Sequence, residues 1–285
     1  MSETEPHMGN AVKISVIVPT CDRPDQLLAC LENLYNQSTE LPYEIIVSDD
    51  GTKPIRQILA QMFPAAIWNP GPQKGPAANR NSAAAQASGD WLAFTDDDCL
   101  PDRTWLEKIC DVIIETPDIV VVEGATDVDR PQQSLLEVAP KNLSGGLLWS
   151  CNFAIQRCAF NEIGGFDESF PYAAFEDIDF HDRVKKAGLE TIFAPECLVI
   201  HPWRQHGGWN AWVKQKASLI HYMSKHPEAV HFRRPRFWVG SIIRTAQREL
   251  IGDGIKFRGR GLILPLQKMC FQSWMLWHIL TTNGN

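Results

Sequence analysis

The chain has 285 residues, of which 44% are hydrophobic and 21% charged, with a formal net charge of −7. That length and apolar fraction suffice for one large packed domain, or one domain with an appendage, and exclude wholesale disorder. The charge is unevenly divided: residues 1–202 carry 14 Lys and Arg against 31 Asp and Glu, a balance of −17, whereas residues 203–285 carry 13 against 3, a balance of +10.

The opening "MSETEPHMGN" is polar and lacks an apolar signal core, so residues 1–12 are expected to be a short disordered tail. "ISVIVPT" (14–20) is a β-branched apolar run stopped by a proline and predicts a buried parallel strand. "DQLLACLENLYNQ" follows with Leu27, Leu28, Leu31 and Leu34 at helical spacing. "YEIIVSDDG" (43–51) predicts a second strand, "IRQILAQMF" a helix and "AAIWN" a third strand. The alanine-rich "PAANRNSAAAQAS" (76–88) predicts a helix, and "DWLAFTDDD" (90–98) a fourth strand ending in three consecutive aspartates. Further on, "WSCNFAIQ" alternates as a strand, "RCAFNEIGG" predicts a short helix with a glycine stop, and "FEDIDFHDRVKKAG" a helix with acids first and Lys185 and Lys186 last, as the helix dipole favours. "ETIFAPECLVIHP" should close this region with two short strands. Alternating strands and helices imply an α/β layer fold with a mostly parallel sheet.

In such sheets ligands bind beyond the carboxyl ends of the strands. "PTCDRP", "SDDG" and "TDDDCLP" all fall there. Each alone reads as an ordinary turn; three in register point to a polar crevice. Asp96-Asp97-Asp98 packs like charges that repel unless a cation or basic groups balance them. In extended backbone Asp96 and Asp98 share a face, suited to a hard divalent cation, and Asp97 turns away, toward a ribose or a basic neighbour. No GxxxxGK[ST] or GxGxxG sequence is present, so phosphates must be held by a metal and scattered basic groups. The eight cysteines form no CxxC pair and no zinc-spaced cluster, and reduced thiols are expected.

Taken in order, "SVIVPTCDRP", "EIIVSDDG", "GPAANRNSAAAQASGDWLAFTDDDCLP", "NFAIQRCAFNEIGGFDESF", "FEDIDFHDRVKKAG" and "VIHP" resemble the family 2 glycosyltransferases over residues 13–202. The resemblance implies a GT-A catalytic domain: inverting, dependent on a nucleotide-sugar donor, and using Mn²⁺ or Mg²⁺. It implies that Thr20 and Arg23 lie near the nucleobase, and that Asp50, with Asp49 beside it, hydrogen-bonds the base. Arg80, and more weakly Lys74, would line the nucleotide pocket. Asp96 and Asp98 match the DxD motif, with Asp98 the direct metal ligand, Asp97 beside them, and His201 completing coordination. Asp177 matches the catalytic base, with Glu176 as the other candidate, and Asp179 is expected to face outward. Asn152 and Trp149 would line the sugar or acceptor pocket, core packing being the rival role. A carboxylate base and a stabilised leaving group are what inversion requires, and no second, nucleophilic carboxylate can be placed. Other readings of the same residues are a nucleotidyltransferase acting on sugar phosphates and a non-catalytic nucleotide-sugar-binding protein. UDP is the expected nucleotide, and the acceptor a saccharide or lipid-linked saccharide; nucleic acid is not expected.

Residues 203–285 lie outside the resemblance. They hold six of the ten tryptophans, Trp203, Trp209, Trp212, Trp238, Trp274 and Trp277, among the basic residues. "GGWNAWVKQKASLIHYMSKHP" has helical spacing, and "LILPLQKMCFQSWMLWHIL" (262–280) is apolar but too interrupted to span a bilayer. A helical extension is expected. It would either touch an anionic membrane surface from the cytoplasmic side or pack on the catalytic domain, where it covers the acceptor cleft or makes a homo-oligomer contact.

Overall fold

The computed structural model describes residues 12–52 and 55–282. The expected disordered tail, residues 1–12, thus lies almost entirely outside the described residues.

The predicted alternation of strands and helices is present: β1 Ile14–Thr20, α1 Pro24–Tyr35, β2 Tyr43–Asp49, α2 Ile55–Met62, β3 Ile67–Pro70, α3 Pro76–Ala84 and β4 Trp91–Thr95. There follow β5 Leu100–Pro101, α4 Trp105–Glu115, β6 Val121–Asp127, β7 Glu137–Val138, β8 Asn152–Gln156, α5 Arg157–Glu162, α6 Glu176–Lys186, β9 Thr191–Ile200 and β10 Arg204–Gln205. Eight strands form one sheet in the order β3-β2-β1-β4-β8-β6-β9-β5. The first four run parallel, β8 runs antiparallel between β4 and β6, and β6 and β9 are parallel again. This is the mostly parallel, helix-flanked sheet expected of a GT-A fold.

Every residue of β1 is buried because it sits mid-sheet with both faces covered. Ile14, Val16 and Val18 face a core with Leu27, Leu31 and Trp105; Ile17 faces the opposite core, built around Phe94, Phe153, Phe166 and Phe180. That two-faced burial explains a continuous apolar run instead of an alternating one.

Two expectations need correction. The helix expected over 76–88 stops at Ala84. The two closing strands are one ten-residue strand, β9, whose pairing with β6 jumps from Gly124↔Ala194 to Thr126↔Val199. The residues between, including Pro195, bulge out of the ladder, so Pro195 interrupts the register without ending the strand.

The chain then runs through α7 Gly208–Lys225, a 3₁₀ turn Val230–Arg233, α8 Pro235–Arg244, a π-helical stretch Thr245–Asp253, α9 Gly254–Lys256 and α10 Ile263–Thr282. These helices bury Trp212, Leu219, Met223, Trp238, Phe271 and Met275 in a third core. Phe170 belongs to that core, and Leu136, Val138, Phe175 and Ile178 pack against it. β10 also pairs with β7. The expectation that the extension packs on the remainder of the chain is therefore met. No helix among the described residues is long and apolar enough to cross a membrane.

Candidate active site

The strand order reverses at β1, which has β2 on one side and β4 on the other. A cleft of about 850 Å³ opens beyond the carboxyl ends of β1 and β4. It is lined by Thr20, Arg23, Asp50, Arg80, Asp96, Asp98, Glu176, Asp177 and His201, drawn from six separate parts of the sequence.

The acid triplet lies just past the end of β4, in a turn closed by the Cys99 N–H on the Asp96 carbonyl at 3.1 Å. Asp96 and Asp98 both line the cleft, and Asp97 is turned in and fully buried. Asp97 accepts hydrogen bonds from the Thr20 hydroxyl (2.7 Å) and Arg23 Nε (3.1 Å). Burial is the main influence on its carboxyl and raises the pKa to about 7; Arg23 and Thr20 oppose that rise, and Asp98 and Asp96 add to it. Of the two partners considered for Asp97, the structure supplies the basic one. Arg23 also donates from Nη1 to Asp98 at 2.9 Å, so it is tied to the triplet.

Arg80 reaches the cleft because α3 packs on β1 and β2. Asn79, one residue earlier, donates to the Thr20 and Ser48 carbonyls at 3.2 and 3.0 Å and fixes the helix to both strand ends. Arg80 is 5% exposed and lies over the Phe166 ring. Its Nη2 donates to Asp96 at 2.6 Å, and its Nη1 sits 3.7 Å from Glu176 Oε1. Burial opposes the charge on Asp96, but Arg80 holds its carboxyl below the ordinary range. Arg80 Nε and Nη1, Glu176 Oε2 and Trp149 Nε1 are buried without hydrogen-bond partners among the described residues, and all three side chains line the cleft. Buried polar atoms left unpaired at a cleft wall are groups that a ligand can satisfy.

Glu176 and Asp177 open α6, which is entered through Phe175 in the left-handed region (φ 70°). Glu176 is buried, and Asp177 is partly exposed, with Oδ1 accepting the Ile178 N–H at 2.8 Å. Burial, then the adjacent Asp177, raises the Glu176 carboxyl to about 7; burial likewise raises Asp177.

Asp50 lines the cleft and accepts the backbone N–H groups of Gln73 (2.8 Å) and Gly75 (3.2 Å), folding the loop before α3. Gly75 has φ 93°, which a side chain at that position would resist. Asp49 points elsewhere, bonding the Gly51 N–H at 2.9 Å, and Lys74 is exposed; neither lines the cleft.

Lys74 and Asp49 thus depart from the sequence reading, and two further placements correct it. Asn152 is 1% exposed and spent on the core: its Oδ1 accepts Trp105 Nε1 at 2.9 Å, and its Nδ2 donates to the Ala125 and Cys197 carbonyls. It ties three elements together and does not line the cleft, unlike its neighbour Trp149. Asp179 does not face outward. It is 2% exposed, paired with Arg183 at 2.8 Å and with His226 Nε2 at 2.8 Å. His226, itself buried, belongs to the C-terminal helices and so anchors the helix that carries Asp177. We expect His226→Ala to lower stability by about 2–3 kcal/mol, because a buried charge-assisted hydrogen bond is lost. A urea midpoint unchanged from wild type would show that this bond contributes nothing.

The sequence reading missed Arg204 and Gln215, which line the cleft from the C-terminal part. Arg204 Nη1 is 3.9 Å from Asp98. The charge asymmetry at residue 202 was the available signal, but no local motif marks either residue.

The donor set at the triplet fits a hard divalent cation. His201 Nδ1 donates to the Pro202 carbonyl at 2.9 Å, which turns Nε2 toward Asp98 Oδ1, 3.5 Å away. Asp98, Cys99 and His201 have donor atoms within 4.8 Å of one another. Burial raises the Cys99 thiol well above its ordinary range, leaving it a neutral and poor ligand. The cleft is also acid-rich: Asp50, Asp96, Asp98, Glu176 and Asp177 face three arginines.

The sequence profile described as glycosyl transferase family 2 matches residues 15–161, just over half the chain. An uncharacterized glycosyltransferase of Haemophilus influenzae is 33% identical over 200 residues, 64% of this chain and 64% of that protein. Glycosyltransferase AglE of Haloferax volcanii is 25% identical over 213 residues, 68% of each chain. The chain thus spans just under two thirds of the Haemophilus relative's length. Among solved structures, S. aureus TarS is similar with a TM-score of 0.53 at 21% identity, covering 70% of this chain and 38% of TarS, a likeness of fold.

Proposed function

The chain belongs to glycosyl transferase family 2, and from that premise we propose that it transfers a sugar, with inversion, from a UDP-sugar to a hydroxyl of a saccharide or lipid-linked acceptor. What carries this reading is one cleft lined by Asp98, His201 and Asp177, in which Arg80 bridges their neighbours Asp96 and Glu176. Asp98 and His201 would hold Mn²⁺ or Mg²⁺, Asp96 being engaged by Arg80. When bound, the cation supplies charge that offsets the departing diphosphate.

The protein's own groups do the rest. Asp177 accepts the proton of the acceptor hydroxyl as that oxygen bonds to the sugar's anomeric carbon and the bond to the diphosphate oxygen breaks. Arg23 and Arg80 carry fixed positive charge on the side where the leaving group's negative charge develops. Asp50, whose carboxylate also holds the loop before α3, would accept from a nucleobase. Trp149 and Gln215 flank the acceptor side.

The test is incubation with UDP-, GDP- and dTDP-sugars in the presence of Mn²⁺ and candidate saccharide acceptors. Release of UDP with an inverted anomeric linkage, read by NMR, is expected. Pyrophosphate release would point instead to a nucleotidyltransferase, and binding without turnover to a non-catalytic protein.

A further inference from the structure

Eleven of the eighteen exposed large hydrophobic side chains among the described residues fall within residues 209–280. Part of this set is regular. Val239, Ile243, Ile251 and Ile255, between 44% and 76% exposed, stand at four-residue steps, with Gln247 at the intervening position. They follow the continuous helical run made by α8, the π-helical stretch and α9. A four-residue step runs slightly ahead of an α-helical turn and slightly behind a π-helical one, so the drift in one part is reversed in the next.

Exposed Arg236, Arg244, Arg248, Lys256, Arg258 and Arg260 accompany this row. None of the six is in an ion pair among the described residues. We propose that this basic, isoleucine-studded run, residues 235–260, is a docking surface for an anionic lipid bilayer, lying in the headgroup region without crossing it. The proposal is independent of the sugar-transfer reading.

Charge complementarity selects that occupant. A second copy placed face to face would bring two unpaired basic rows within about 8 Å, a Debye length at physiological salt, with few acids to separate them. Nucleic acid would use the basic groups but leave the exposed isoleucines in water. An anionic bilayer uses both, apolar side chains entering the acyl boundary and cations meeting headgroups. The acidic balance of residues 1–202 adds orientation, since that part is repelled by the same surface.

The experiment is co-sedimentation of the full chain with vesicles of phosphatidylcholine alone or mixed with phosphatidylglycerol. Binding is expected only to the mixed vesicles at low salt, and should fall as salt is raised. Arg244→Glu with Arg248→Glu should weaken partitioning by about a hundredfold. Ile251→Ser with Ile255→Ser should weaken it while leaving surface charge intact. These positions are exposed, and unchanged circular dichroism confirms that each variant is folded. Equal binding to neutral vesicles, or none to anionic ones, overturns the proposal. So does a chromatographic dimer that the serine pair dissociates without vesicle binding. Salt-sensitive capture of a DNA or RNA duplex, indifferent to the serine pair and unaccompanied by vesicle binding, overturns it as well.

Discussion

Asp98→Asn is expected to abolish Mn²⁺-dependent UDP binding and turnover together. The carboxylate is fixed from two sides: Arg23 Nη1 donates to Oδ2 at 2.9 Å, and His201 Nε2 stands 3.5 Å from Oδ1. An amide of the same shape is a poor ligand for a hard cation and carries no charge to pair with Arg23. In the variant's cleft, where four carboxylates still face three arginines, a diphosphate would then lack the cation's counter-charge. Because the change is isosteric and the side chain is largely shielded, the fold should survive, and thermal denaturation provides that control. Calorimetry with UDP and Mn²⁺ gives the decisive reading. Wild-type affinity in the variant would remove Asp98 from the metal site and leave the acid triplet as an arginine-binding turn.

The strands, helices and cleft-forming loops were legible because their signals are local. β1 announces itself as an unbroken apolar run since both its faces are covered, and "TDDDCLP" marks the end of β4 whatever lies across from it. The alternation of Asp96, Asp97 and Asp98 is as expected, the outer two lining the cleft and the middle one buried on Thr20 and Arg23, but not for the expected reason: β4 ends at Thr95 and the triplet forms a turn instead of extending the strand.

What escaped the sequence was decided by partners far along the chain. Asn152 looks like a polar residue near a pocket, but Trp105, Ala125 and Cys197 consume its hydrogen-bonding capacity. Asp179 looks like an acid favoured by a helix N-terminus, and its burial depends on His226, which lies 47 residues away. Arg204 and Gln215 enter the cleft because β10 pairs with β7 and α7 packs over Phe175 and Ile178. No window of sequence contains those pairings. Pro195 shows the opposite error: a local strand-breaking signal was overridden, because long pairing partners on either side absorbed the bulge.

Asp177→Asn should leave UDP binding intact and lower kcat by about 10²–10⁴-fold, the usual contribution of a positioned general base. Asp177 and Glu176 are adjacent, and both carboxyls are raised by burial, so pKa alone does not choose between them. Exposure and charge do. Glu176 is 5% exposed and faces the Arg80 guanidinium, a position suited to holding that arginine. Asp177 is partly exposed at the cleft, with one oxygen held by the Ile178 N–H. A base must be reached by the acceptor, and only Asp177 combines an oriented carboxylate with access. Glu176→Gln should therefore weaken donor binding through Arg80, while Asp177→Asn acts on kcat. The acid limb of the pH profile supplies a second reading. The base works only when ionised, so turnover is lost as pH falls through its pKa, and a raised carboxyl moves that limb above the ordinary aspartate range. If Asp177→Asn keeps nearly full activity while Glu176→Gln loses it, the proton goes to Glu176 and Asp177 only caps the helix.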